Sequence, residues 1–121
     1  MNRHEQRVQI VFAIYQHLLL SKSLNETFSS CLEQNNEYIT SIYNDLLKNE
    51  DKYIESISTH LKNWTFDRLP YIDQAIMVEA YSEANLGINN KNIIIDEAIR
   101  IAKVYSDETS FKYINGVLDN L

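Results

Sequence analysis

The chain has 121 residues, with 17 acidic and 11 basic side chains and a formal charge of −6. Its 45% hydrophobic content is enough for a core without disulfide staples, and two glycines and one proline are too few for the frequent tight turns of a β-sandwich or barrel. An all-α protein is expected, and its acidic balance excludes a general nucleic-acid or anionic-membrane binder acting through a broad basic field.

Apolar residues recur at helical spacing almost from end to end. Val8, Val11, Phe12, Tyr15, Leu18 and Leu19 form the stripe of a first helix. Ser23 and Glu26 have capping-box spacing and start a short helix through Phe28 and Leu32, which Asn35-Asn36 ends. Ile39, Ile42, Tyr43 and Leu46 stripe a third helix, and Asn49-Glu50-Asp51 separates it from a fourth through Ile54, Ile57, Leu61 and Trp64. Asp67 is a cap candidate, and Pro70 suits the first turn of a helix carrying Ile72, Ala75, Ile76, Ala80 and Tyr81 that stops at Gly87. Asn89-Asn90 caps a sixth helix through Ile94, Ala98, Ile101, Ala102 and Tyr105. The β-branched run Ile93-Ile94-Ile95 stays helical because a lone strand has no partner. After Ser106 a last helix bears Phe111, Ile114, Val117, Leu118 and Leu121. The hairpin-like Asn115-Gly116 falls inside it, so a close neighbouring backbone is expected at Gly116. The count is about seven helices in one domain, residues 1–121.

Catalytic patterns are missing. His4 and Glu5 begin a zincin motif, but Val8 stands where its second histidine belongs. His4, His17 and His60 are scattered and read as surface histidines; no metal is expected. Cys31 has no second cysteine, so it reads as an inert, partly buried thiol in a reducing cytosol. No glycine-rich phosphate loop or calcium-loop spacing occurs, and Asp96-Glu97 reads as a first-turn acidic pair. No apolar run approaches the roughly 20 residues of a membrane span. The expectation is a cytoplasmic, non-catalytic protein without cofactor.

Binding features are present but modest. Arg3 and Arg7 lie four residues apart on one face of the first helix, with Tyr15 two turns further along. Lys112-Tyr113 pairs a cation with a ring near the start of the last helix. Such residues serve single-stranded RNA, with charges for phosphates and flat faces for stacking. Tyr15 also suits the core, and Lys112 also suits a solvated surface.

The second half carries a resemblance. Trp64, Asp67-Arg68-Leu69 and Ile72-Asp73-Gln74-Ala75-Ile76, then Asp96-Glu97-Ala98-Ile99-Arg100-Ile101-Ala102-Lys103-Val104-Tyr105, then Lys112-Tyr113-Ile114-Asn115-Gly116-Val117-Leu118-Asp119 resemble, in order and spacing, the NusB transcription antitermination family. Arg7 and Tyr15 match the family's first helix more loosely. The resemblance implies an all-α fold of two helical subdomains. It also implies an adaptor that pairs with NusE, a small-subunit ribosomal protein, and binds boxA-type RNA within an RNA polymerase antitermination complex on ribosomal RNA genes.

Carried over by position, it places RNA contacts at Arg3, Arg7, Tyr15, Lys112 and Tyr113, and partner contacts at Asp67 and Asp73. A basic partner would be drawn to an acidic face. His4 and Glu5 stand where relatives often have arginines, which favours an alternative: a helical protein-interaction module with little RNA affinity. A homodimer and a partner-bound monomer would use the same kind of exposed patch.

Overall fold

The computed structural model describes residues 1–31 and 36–121; the expectations for the Cys31 thiol, Leu32 and Asn35 lie outside the side chains described. Among the described residues all regular structure is helical: α1 (Arg3–Leu20), α2 (Leu24–Cys31), α3 (Glu37–Thr59), a 3-10 turn (Phe66–Arg68), α4 (Tyr71–Leu86), α5 (Lys91–Tyr105) and α6 (Ser110–Leu118).

Most ends follow local chemistry. The Asn2, Asn36 and Asn90 side chains accept from the backbone N–H three residues on, at 2.8, 3.0 and 3.0 Å. Ser23 Oγ accepts from Glu26 N at 3.2 Å, which is one arm of the expected capping box. Gly87 ends α4 at φ 66°, with Gly87 N donating to Ala84 O and Ile88 N to Glu83 O, both at 3.2 Å. This left-handed closure is what a glycine past a helix end permits.

Four expectations are corrected. Asn49-Glu50-Asp51 does not break a helix, so the third and fourth helices of the sequence reading are one, α3. Asn49 Nδ2 donates to Asp45 Oδ1 at 2.9 Å one turn back, and Glu50 reaches across to His17 on α1, so neither side chain competes with the helix backbone. The stripe does not run on to Trp64: α3 ends at Thr59, Asn63 takes φ 67°, and Trp64 is 60% exposed. Asp67 caps nothing and lies within the 3-10 turn. Gly116 is inside α6 as expected, but a Cβ placed there meets nothing within 4 Å, so no neighbouring backbone requires the glycine.

The centre of the molecule is α4, which packs on α1, α3, α5 and α6. Every residue from Asp73 to Glu83 is buried. One apolar cluster includes Ile10 and Ile14 of α1, Ile42, Leu46 and Ile57 of α3, Ile76 and Met77 of α4, and Ile114 and Leu118 of α6. Each such side chain contributes about 1.5–3 kcal/mol by leaving water. At the α1–α3 seam, His17 Nδ1 lies 2.5 Å from Lys22 O and Nε2 lies 2.9–3.0 Å from the Glu50 carboxylate. Two acceptors favour the doubly protonated ring, and the Glu50 hydrogen bond foremost raises its pKa above 6.5.

Candidate functional site

A helix buried on every side must pair its polar side chains, and α4 does so in three places. Near its start, Asp73 is fully buried and accepts from the Ser106 hydroxyl at the end of α5 and from the Tyr113 hydroxyl of α6. In its last turns, Ser82 Oγ and Asn85 Nδ2 donate to Asp45 at 2.7 and 2.9 Å, and Tyr53 joins the same carboxylate at 2.6 Å.

The third network contains Arg7. Arg7 is 2% exposed, and its guanidinium grips Glu83 through two bonds, Nε–Oε2 at 2.6 Å and Nη2–Oε1 at 2.9 Å, with Nη1 3.3 Å from Glu97 on α5. Tyr38 OH donates toward Glu79 and Glu83 at 3.2 and 3.1 Å. Burial is the largest single influence and disfavours charge on Arg7, but the Glu83 hydrogen bond together with the charges of the surrounding acidic groups outweighs it and holds the proton more tightly than usual. Burial, then Glu83, pushes Glu79 well above the ordinary carboxyl range, so Glu79 is the protonated partner of the pair.

These placements divide the expected site residues. Arg3 is exposed, and its guanidinium carbon lies 3.9 Å from the centroid of the Tyr38 ring, a cation–π contact that braces it at the surface. Arg7, four residues on, faces inward. Tyr15 is half-buried and meets Phe12 edge-on at 6.5 Å. Lys112 is exposed; Tyr113 is half-buried with its hydroxyl held by Asp73, and burial foremost raises its pKa. Asp67 is exposed, whereas Asp73 is covered and reaches the surface only through the ring it holds.

Tyr105, the last residue of the expected apolar stripe of α5, is 46% exposed and stacks edge-on against Phe12 at 4.9 Å. His4 lies 3.0 Å from Glu97 at the other end of the same seam, so α1 and α5 run in the same direction there. His4 and His17 are therefore engaged, half-buried groups, while His60 is exposed. Among the described residues, no three His, Cys, Asp or Glu side chains are placed to hold a metal ion, and no helix is long and apolar enough to cross a membrane.

Comparison with known proteins adds the lineage. The family profile described as the NusB family matches residues 1–121. The chain belongs to the NusB family. It is 32% identical to the transcription antitermination protein NusB of Bacillus subtilis, over all of this chain and 95% of that protein. It is also 32% identical to the protein of the same name from Listeria monocytogenes, over all of this chain and 96% of that one. The T. maritima NusB structure superimposes with a TM-score of 0.86 at 26% identity, covering 99% of this chain and 89% of that one. At 21% identity, a structure of antitermination factors NusB and NusE in complex with dsRNA shares the fold, with a TM-score of 0.83 over 99% of this chain and 96% of that one. The NusB fold therefore spans this chain from Arg3 to the end of α6.

Proposed function

We propose that residues 1–121 act as one non-catalytic antitermination domain. It pairs with a NusE-type ribosomal protein and binds boxA-like single-stranded RNA in the RNA polymerase antitermination complex, in the cytoplasm. The observation that carries this is the 32% identity, over the whole chain, to proteins named for transcription antitermination. The solved assembly of NusB and NusE in complex with dsRNA supports a NusE-type protein and an RNA as partners.

The side chains take graded roles in this reading. Arg3 and Lys112 offer exposed charge to phosphates, and Tyr15 and Tyr113 offer partly covered rings. Asp67 offers a carboxylate to the basic partner. Arg7 and Asp73 act from behind: Arg7 locks α1 onto α4 and α5, and Asp73 holds Tyr113. The alternative, a protein-interaction module with little RNA affinity, is favoured by one observation, since the inward turn of Arg7 removes a cation from the N-terminal surface.

The test is RNA binding with and without the NusE-type protein from the same genome, against a boxA-like strand and a scrambled strand. Tighter, sequence-dependent binding with the partner is expected. A stable protein pair that ignores both strands would leave the interaction module.

A further inference from the structure

A groove of about 490 Å³ opens between the segment after α3 and the outer side of α6. His60, Lys62 and Trp64 line one wall, Leu69 lies at its base, and Tyr113 and Gly116 line the other. Three features set it apart. In a chain of charge −6, none of the described residues lining it is acidic, while Lys62 and His60 are both exposed there. Trp64, the only tryptophan, is 60% exposed beside it rather than packed in the core. Gly116 sits in mid-helix, where glycine is disfavoured, and no packing accounts for it because a Cβ there enters open space. A larger side chain at that position would enter the groove.

We propose that this groove is a slot for a nucleobase of single-stranded RNA, with the base stacked on the Trp64 indole and the adjoining phosphate met by Lys62. Base–aromatic stacking beside a cation is how sequence-tolerant RNA contacts are built. A basic protein is the poorer occupant, because the exposed Lys62 would repel it and no acidic side chain among the described lining residues would attract it. Tyr113 forms the opposite wall, and Asp73 behind it fixes the ring's position. The proposal rests on the RNA-binding reading above and adds to it Trp64, Lys62 and the open position at Gly116.

Trp64 supplies its own probe, since a stacked base quenches indole emission. A boxA-like RNA strand carrying a fluorescent label is titrated into the protein with its NusE-type partner. Label anisotropy and tryptophan emission are followed together, and the Trp64→Phe protein serves as the blank for the partner's own emission. Emission should fall in step with the rise in anisotropy. Trp64→Ala and Gly116→Leu should each weaken RNA binding by roughly 5- to 100-fold while the protein pair forms as before and neither substitution lowers the thermal unfolding midpoint. Anisotropy that rises without quenching would overturn the slot and leave the adaptor function standing. No rise in anisotropy would remove both. An emission change produced by the partner alone, with none added by RNA, would assign the groove to protein and overturn the proposal.

Discussion

Glu79 and Glu83 lie one helical turn apart on α4 and share the surroundings of one buried arginine. Burial, and then Glu83, raises the Glu79 pKa. Burial would raise Glu83 as well, but its hydrogen bonds with Glu79 and Arg7 bring it down to about 2. The two carboxyls therefore act on stability in opposite directions. Glu83 contributes stability above the unfolded value of 4.5, and this is lost as the pH falls toward 2. Glu79 binds its proton more tightly in the folded chain, so its contribution is complete below 4.5 and is lost as the pH rises through its raised folded value. Glu79→Gln keeps a donor for Glu83 and cannot ionise. It should flatten the fall in stability above pH 5 without loss at neutral pH; urea unfolding at several pH values measures this, and an unchanged slope would refute it. Arg7→Ala strands Glu83 without its cation, and should cost about 3–5 kcal/mol in the same assay. Arg3→Ala, at an exposed cation–π contact, should cost about 0.5–1 kcal/mol. If Arg7→Ala altered only RNA affinity, the inward placement of Arg7 would be wrong.

Among the helices, α4 shows why apolar spacing alone understates burial. Its Ile76, Ala80 and Tyr81 read as one stripe, but Asp73, Gln74, Glu79, Ser82 and Glu83 are covered too. They are tolerated because α1, α3, α5 and α6 supply partners, such as Arg7 for Glu83 and Ser106 for Asp73. Helix α3 shows the converse: Asn49 has the chemistry of a helix breaker, but Asp45 one turn earlier absorbs its amide. At α6 the local cost is still visible. Gly116 has no positive φ and no neighbour within 4 Å of a Cβ, so Gly116→Ala should stabilise the protein by about 0.8–1 kcal/mol. A thermal or urea unfolding midpoint that fails to rise would mean that α6 is frayed at that position.

For the molecule as a whole, the −6 charge leaves no broad basic field, and the salt dependence is set by the individual cations that meet phosphates. Arg7 is internal, which removes a cation from the N-terminal surface, and the chain alone should bind RNA weakly. With Arg3, Lys62 and Lys112 as three contacts, log affinity should fall against log salt with a slope of about −2. The partner-bound complex should show a steeper slope, since a basic ribosomal protein adds its own cations. Equal slopes, measured by anisotropy from low to high salt, would mean that the partner contributes no phosphate contacts.

The sequence by itself determined the all-α class, the helix ends at Ser23, Asn90 and Gly87, and the family, because these depend on spacing and on caps within a few residues. Tertiary structure alone decided that α3 is continuous, that Trp64 and Tyr105 are exposed, and that Arg7 and Asp73 point inward while Arg3 and Asp67 face solvent. Three of those outcomes depend on a partner far along the chain: Glu83 for Arg7, Tyr113 for Asp73, Phe12 for Tyr105. A helical repeat of 3.6 residues tells which side chains share a face. Only the packing of α4 against its four neighbours determines which of those faces meets another helix and which is left to bind RNA or protein.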